Sequence, residues 1–224
     1  NKDLLIGVCG CMAEQKERRE GIIKSYPYVD FVFGTDKLYM LPQIIKNAKT
    51  AKKRAIYISD LPHKEFGIIA EGLPLRRNSE YKAKVSIMYG CDNFCTYCVV
   101  PYVRGRERSR NSSDILSEVN GLVMGGYKDI MLLGQNVNSY KGDISFPELL
   151  RKTASFEGEY FLRFMTSHPK DASTELIEVI RDTKNVAKQF HLPVQSGNSR
   201  VLSVMNRKYT REKKIKKALE IKSL

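Results

Sequence analysis

Short apolar runs alternate with helical segments over the second half of the chain, and this alternation limits the possible folds more than any other feature. The predicted strands lie near Lys84–Tyr89, Asp129–Leu133, Tyr160–Met165 and Gln189–Val194, and the predicted helices near Ser113–Met124, Pro147–Ser155 and Thr174–Arg181. Repeated units of this kind form parallel sheets, either doubly wound or closed as a (β/α) barrel. Both arrangements bind ligands at the carboxyl ends of the strands.

The first part of the chain has a similar but separate pattern. Strands are predicted over Leu4–Gly10, Tyr28–Phe33 and Arg54–Ile58, and helices over Ala13–Ser25 and Leu38–Ala51. We therefore expect an α/β fold in which residues 1–62 are the remainder of an open α/β domain and 63–80, rich in Pro and Gly, form a linker. Residues 81–224 then form an incomplete (β/α) barrel. Truncation at both ends is expected, because Asn1 is not an initiator Met and no strand follows the helical stretch 198–223.

Three cysteines, Cys91, Cys95 and Cys98, stand on a short loop directly after the first strand of the second domain. Their thiolates can bind three irons of one [4Fe-4S] cluster, which leaves the fourth iron without a protein ligand. The amino and carboxylate groups of S-adenosylmethionine (SAM) can chelate that iron, and reduction then cleaves the sulfonium bond. The alternative is a zinc site with a histidine as fourth ligand, but zinc loops favour paired CxxC elements and no second pair occurs here.

Composition bears on the partner and on the compartment. The net charge of +13 suits a polyanion, and Arg104, Arg106, Arg108 and Arg110 alternate just after the cysteine loop. Such arginines suit phosphate groups or the SAM carboxylate, although a solvated face is the alternative. The odd number of cysteines, five, and their tight spacing favour metal binding in a reducing compartment. No apolar run approaches the roughly 20 residues that span a bilayer, so a cytoplasmic protein is expected.

The run YGCDNFCTYCVVPYVRGRERSR, residues 89–110, resembles the radical SAM methylthiotransferases. Three further runs, LGQNVNSY at 133–140, HLPVQSG at 191–197 and MNRKYT at 205–210, are most similar to the branch that modifies N6-dimethylallyladenosine in tRNA. This resemblance implies an amino-terminal domain with a second [4Fe-4S] cluster, the partial barrel with the SAM cluster, and a carboxyl-terminal RNA-binding module beyond Leu224.

The same resemblance implies roles for individual residues. Cys11 would be one ligand of the second cluster, the others lying before Asn1, whereas Cys9 is expected to be a small buried residue of a strand. Tyr97 would pack near the adenine of SAM. Polar residues at the strand ends would hold the rest of SAM: Gly134, Gln135, Asn136 and Gln195, with Ser167, His168 and Ser196 at the same edge. Apart from the resemblance, the alternation of arginines predicts that Arg104 and Arg106 contact RNA, and the place of His191 in a predicted strand predicts a core residue.

The predicted activity is the addition of a methylthio group to C2 of N6-dimethylallyladenosine next to the anticodon of tRNA. A flavodoxin or ferredoxin is the expected reductant, and the expected oligomeric state is a monomer. Related enzymes modify threonylcarbamoyl-adenosine in tRNA or an aspartate of a ribosomal protein, and these remain alternatives. A different alternative is a non-catalytic iron-sulfur or zinc scaffold that binds RNA through its basic surface.

Overall fold

A computed structural model describes residues 4–51, 54–58 and 75–223. The chain divides into two compact units, the first formed by 1–74 with 99–106 and the second by 75–98 with 107–224. The elements of the first unit are the strands β1 (Gly7–Cys9), β2 (Phe31–Phe33) and β3 (Ala55–Tyr57), the helices α1 (Cys11–Glu14), α2 (Lys16–Ser25), α3 (Leu41–Ala51) and α4 (Val100–Val103), and a 3-10 helix at Thr35–Met40.

The first unit is built on a parallel sheet with the strand order β1-β2-β3. All three residues of the central strand, Phe31–Phe33, are buried, as expected where a parallel strand has apolar cover on both faces. One face packs against Ile44 and Ala48 of α3, and the other packs Val32 against Ala13 of α1 and Val29. The expectation of an α/β domain with a parallel sheet is confirmed for this unit.

The second unit contains the longer series of strands and helices. Its strands are β4 (Lys82–Ser86), β5 (Met88–Tyr89), β6 (Arg108–Ser109), β7 (Asp129–Leu133) and β8 (Phe161–Phe164). Its helices are α5 (Ser112–Met124), α6 (Phe146–Thr153), α7 (Thr174–Asp182), α8 (Ser199–Val204) and α9 (Arg211–Lys222), with 3-10 helices at Val137–Ser139 and Pro169–Asp171.

The main sheet of the second unit is parallel, with the strand order β4-β7-β8. Alternate side chains such as Val85, Leu132 and Leu162 are fully buried, and they pack in one core with residues of α5, α6 and α7. Since the strands are parallel and in register, the segments that follow β4, β7 and β8 all leave from the same edge. That edge carries Gly134, Gln135 and Asn136 after β7 and Ser167 and His168 after β8, and Gln135 contacts the base of the cysteine loop.

Serine side chains cap the first turns of two helices of the second unit, α6 and α7. Ser145 accepts a hydrogen bond from the Glu148 amide, and Ser173 accepts one from the Leu176 amide, so each serine satisfies a free N–H of the first turn. Within the ranges that the structure describes, no helix has both the length and the apolar character needed to cross a membrane.

The predicted strand at Gln189–Val194 is wrong. The chain pairs with β8 only briefly, through a single bridge between Leu162 and Val186, and then leaves the sheet. Phe190 still packs on Phe164 with ring centroids 5.5 Å apart, which explains the apolar pattern, but Pro193 has no N–H to extend a ladder. His191 in this segment is exposed, so the expectation of a core histidine is also wrong.

The predicted domain boundary falls largely on residues outside the described part of the chain, since 59–74 cover most of the expected linker at 63–80. Residues 99–106, which the sequence assigned to the second domain, group with the first unit instead. Thr35 contacts the end of α4, within that segment, since its hydroxyl donates to the Val103 carbonyl at 3.0 Å. The division into residues 1–62, 63–80 and 81–224 therefore stays a prediction.

Candidate iron-sulfur site

The cysteine loop follows β5 and turns sharply at two left-handed residues. Gly90 has a φ of +75° and Phe94 a φ of +46°. The first position suits glycine, which has no Cβ to strain this conformation. Cys91 and Cys95 are buried, with 8% and 7% of their surface exposed, and Cys98 is half-buried.

Residues after β7 support the base of this loop. The Gln135 side-chain oxygen accepts a hydrogen bond from the Gly90 amide at 2.7 Å. Gly134 lies against Met88, since a Cβ at this glycine would stand 2.3 Å from the Met88 Cγ. Both residues were predicted to bind SAM. The structure places them under the cysteine loop, so they position the loop, and direct contact with SAM stays a prediction.

Two of the thiols accept hydrogen bonds from nitrogen donors. Asn93 Nδ2 lies 3.4 Å from Cys91 Sγ, and Arg207 Nη1 lies 3.2 Å from Cys95 Sγ. Burial raises the pKa of the Cys91 thiol, while the hydrogen bonds from Asn93 act to lower it. A sulfur atom that accepts an N–H hydrogen bond is better suited to carry negative charge, as the thiolate ligands of an iron-sulfur cluster do.

A tetrahedral zinc site and a [4Fe-4S] cluster place different demands on the cysteine ligands. Within the described ranges, no group of three or more His, Cys, Asp or Glu side chains is placed to hold a metal ion. A tetrahedral zinc ion needs its ligands to converge on one point, whereas each thiolate of a [4Fe-4S] cluster binds a different iron. The thiols of Cys91, Cys95 and Cys98 lie on one loop, and two of them accept N–H hydrogen bonds, which suits thiolate ligands of a [4Fe-4S] cluster.

Residues 205–207 lie against the cysteine loop. From the sequence, this run was noted only for its family resemblance, and none of its residues was predicted to belong to the site. Asn206 Nδ2 donates to the Phe94 carbonyl at 2.9 Å, and the Thr96 amide donates to the Met205 carbonyl at 3.3 Å. Arg207 was missed because its contact with Cys95 spans 112 positions of sequence. In the sequence, Arg207 was marked only by its place in the run MNRKYT, next to Asn206.

The segments after β7 and β8 are joined by a buried amide. Asn138 Oδ1 accepts from the His168 amide at 2.8 Å, and Asn138 Nδ2 donates to the His168 carbonyl at 3.0 Å. The Val137 amide also donates to the Thr166 carbonyl at 2.9 Å. These contacts join the segment that contains Asn136 to the segment that contains His168 at the edge of the sheet.

Three buried polar atoms in this region have no hydrogen-bond partner within the described part of the chain: Asn136 Oδ1, Ser167 Oγ and His168 Nε2. His168 Nδ1 accepts a hydrogen bond from the Lys170 amide at 3.2 Å, so the proton of the neutral ring is on Nε2. Burial lowers the pKa of His168 to about 3, with smaller effects from Arg207 and Lys170. Because buried polar groups are normally paired, these atoms are candidates for contact with a ligand.

The two other residues predicted to contact SAM lie nearer the surface. Tyr97 is 51% exposed, and its hydroxyl accepts from Arg207 Nη1 at 3.4 Å. Gln195 is exposed and has a φ of +57°, in a segment that does not form the predicted strand. Tyr97 is thus part of the loop's hydrogen-bond network, and the roles of both residues toward SAM stay predictions.

The alternating arginines do not form one common face. Arg110 is buried, and its guanidinium donates to the Ser86 carbonyl at 2.6 Å and to Glu118 at 2.8 Å, so it stabilises the second unit. Arg104 is half-buried, and Arg106 is exposed. In the first unit, Arg104 Nε lies 3.3 Å from Cys11 Sγ. Contact with RNA stays a prediction for Arg104 and Arg106.

Cys9 and Cys11 lie at the carboxyl end of β1. Cys11 begins α1 and is half-buried, as expected for a residue at the ligand-binding edge of a parallel sheet. Cys9 is in the strand as predicted, but it is exposed, so the expectation of a buried residue is wrong. It is the last residue of an edge strand, where the sheet does not cover every side chain.

Comparisons with known proteins give a consistent result. The family model of the radical SAM superfamily matches residues 85–224. The tRNA-2-methylthio-N(6)-dimethylallyladenosine synthase of Clostridium beijerinckii is 50% identical over 100% of this chain and 49% of its own length. The enzymes of the same name from Clostridium tetani and Thermoanaerobacter pseudethanolicus are 53% and 50% identical, each over 95% of this chain. The chain spans about half the length of these curated relatives.

Solved structures show a similar fold at low sequence identity. The radical SAM methyltransferase TsrM from Kitasatospora setae, with cobalamin and a [4Fe-4S] cluster bound, matches 98% of this chain and 54% of its own, with a TM-score of 0.61 and 14% identity. The cobalamin-dependent SAM radical enzyme OxsB matches 97% of this chain and 39% of its own, with a TM-score of 0.57 and 13% identity. At such identities the likeness concerns the fold alone.

Proposed function

Because this chain belongs to the radical SAM superfamily, we propose that it is part of a methylthiotransferase that acts on tRNA. The observation that carries the proposal is the loop of Cys91, Cys95 and Cys98 at the carboxyl edge of a parallel sheet, with N–H donors to two of its sulfur atoms. Relatives about 50% identical, named as synthases of a methylthiolated adenosine in tRNA, support the choice of reaction.

The residues of the loop have distinct roles in this proposal. Cys91, Cys95 and Cys98 hold a [4Fe-4S] cluster, which when bound supplies the electron that cleaves SAM to a 5′-deoxyadenosyl radical. Gln135 and Gly134 keep the loop in place through Gly90 and Met88. Asn136, Ser167 and His168 offer buried polar atoms to SAM or to the target base. Tyr97 and Gln195 complete the predicted contacts with SAM.

Cys11 is proposed as a ligand of a second [4Fe-4S] cluster. Arg104 Nε, 3.3 Å from its sulfur, is well placed to stabilise negative charge there. This geometry makes Arg104 a weaker candidate for phosphate contact than the exposed Arg106.

The proposed substrate is N6-dimethylallyladenosine next to the anticodon, methylthiolated at C2. The names of the relatives support this choice over threonylcarbamoyl-adenosine or a ribosomal-protein aspartate. A flavodoxin or ferredoxin is the proposed electron donor, since the cluster needs a source of single electrons. We propose a monomer that works in the cytoplasm.

The test is anaerobic reconstitution of the protein with iron and sulfide, followed by reduction in the presence of SAM. Formation of 5′-deoxyadenosine together with about four irons per loop is the expected result. One bound zinc ion and no 5′-deoxyadenosine would support the non-catalytic scaffold instead. Extension of the chain to the length of its relatives, with prenylated and unmodified tRNA as substrates, then tests the methylthio transfer and its target.

Binding to tRNA is expected to weaken steeply with salt, because the net charge of +13 favours phosphate contacts that release counterions. The Arg106→Ala variant is expected to reduce the slope of log affinity against log salt by roughly 0.7 to 0.9. The Arg181→Ala variant is the matched control, because it removes the same charge from an exposed arginine of α7 that belongs to no predicted site. Fluorescence titration at several salt concentrations measures both slopes, and equal slopes for wild type and Arg106→Ala would exclude a phosphate contact.

A further inference from the structure

Arg207 is held over the cysteine loop by a strained backbone. Its two neighbours, Asn206 and Lys208, have φ angles of +58° and +51°, which non-glycine residues rarely adopt. The side-chain amide of Asn206 stabilises this conformation, because it donates to the carbonyls of Asn93 at 3.3 Å and Phe94 at 2.9 Å. The turn therefore places the guanidinium of Arg207 against the loop, within hydrogen-bond distance of Cys95 Sγ.

The guanidinium itself is buried, with 5% of Arg207 exposed. Within the described part of the chain, its hydrogen-bond acceptors are Cys95 Sγ at 3.2 Å, Tyr97 Oη at 3.4 Å and Tyr209 Oη at 3.3 Å. It also lies 5.4 Å from the centre of the Tyr209 ring. None of these acceptors is a carboxylate.

The charge on Arg207 is maintained despite this burial. A guanidinium is not deprotonated in proteins, so Arg207 remains a cation in this buried position. A buried cation without an anionic partner is costly, so such groups are normally paired. A [4Fe-4S] cluster held by thiolates is an anion whose negative charge grows on reduction, and it would provide that partner at Cys95.

We propose that Arg207 is a positioning residue that donates a hydrogen bond to the Cys95 thiolate and stabilises the reduced form of the cluster. This inference rests on the proposed function, since it requires that the loop binds the cluster. A cation beside the cluster favours the state with more negative charge, and hydrogen bonds to sulfur act in the same direction. Arg207 thus raises the reduction potential and makes the cluster easier for a physiological donor to reduce.

The test compares the reconstituted wild type with Arg207→Gln, which removes the charge, and Arg207→Lys, which keeps it. We expect the glutamine variant to bind the same amount of iron but to have a more negative midpoint potential, measured by redox titration with electron paramagnetic resonance. The lysine variant is expected to recover most of the difference. Arg200→Gln, an exposed arginine of α8, is the control and is expected to match wild type.

The possible failures can be told apart. If the wild-type protein binds no iron-sulfur cluster, the proposed function fails. If Arg207→Gln binds a full cluster with the wild-type potential, only the role of Arg207 is overturned. If the glutamine variant does not fold, Arg207→Met replaces it, because methionine fills much of the same space without charge. If neither neutral variant folds while Arg207→Lys does, Arg207 is required for the fold and the proposal is rejected.

Discussion

Replacement of Cys95 by alanine is expected to reduce the iron bound by the reconstituted loop from about four atoms to nearly none. The same result is expected for Cys91→Ala and Cys98→Ala, because three thiolates are the smallest protein ligand set that leaves one iron open for SAM. Formation of 5′-deoxyadenosine should be lost with the cluster. Iron and sulfide analysis, optical spectra and chromatography of the reaction products measure these effects.

Cys9→Ala is the matched control for these replacements. Cys9 is an exposed thiol of β1 in the first unit, so its removal should leave both the iron content and the formation of 5′-deoxyadenosine unchanged. A Cys95→Ala protein that kept the wild-type iron content and still cleaved SAM would refute the assignment of the loop.

The stability of the protein is expected to fall as the pH is lowered from about 6.5 toward 3, in part because of His168. Burial lowers the pKa of His168 from its usual 6.5 to about 3 in the folded protein, so the unfolded chain takes up a proton in this range and the folded one does not. The stabilisation is therefore fully present above pH 6.5 and is lost on acidification. One such proton corresponds to a slope of roughly 1.4 kcal/mol per pH unit in the free energy of unfolding.

His168→Asn tests this expectation, because the asparagine oxygen can still accept from the Lys170 amide but does not titrate. Between pH 6.5 and 4.5 the variant should lose roughly 2 kcal/mol less stability than wild type. Denaturant unfolding followed by circular dichroism, at matched iron content, provides the comparison. His191→Asn is the control, since His191 is exposed. Parallel stability curves for His168→Asn and wild type would show that burial of the neutral ring does not drive the effect.

Local sequence patterns were sufficient to predict the class of fold and the position of the cysteine loop. The period of the apolar residues gave Asp129–Leu133 with its observed bounds and gave α5 and α7 to within one residue. In the structure, serine residues cap the starts of α6 and α7. These features depend on neighbours within a few positions along the chain, which is why a sequence pattern can report them.

The same patterns failed where a distant packing partner decided the outcome. The apolar run at Gln189–Val194 has the composition of a strand, but the chain leaves the sheet after Val186 and only Phe190 packs against it. Cys9 lies in a strand as predicted, yet the edge position of β1 leaves it exposed. In both cases the sequence indicates that a residue can be buried, while the neighbouring elements determine whether it is.

The chemistry of the candidate site divides in the same way. The spacing of Cys91, Cys95 and Cys98 could be recognised because all three lie on one loop. The contacts from Arg207 to Cys95 and from Gln135 to Gly90 join segments 112 and 45 positions apart, so no local pattern encodes them. They form because parallel strands bring their carboxyl ends to one edge and because the left-handed turn at Asn206–Lys208 directs a guanidinium onto the loop.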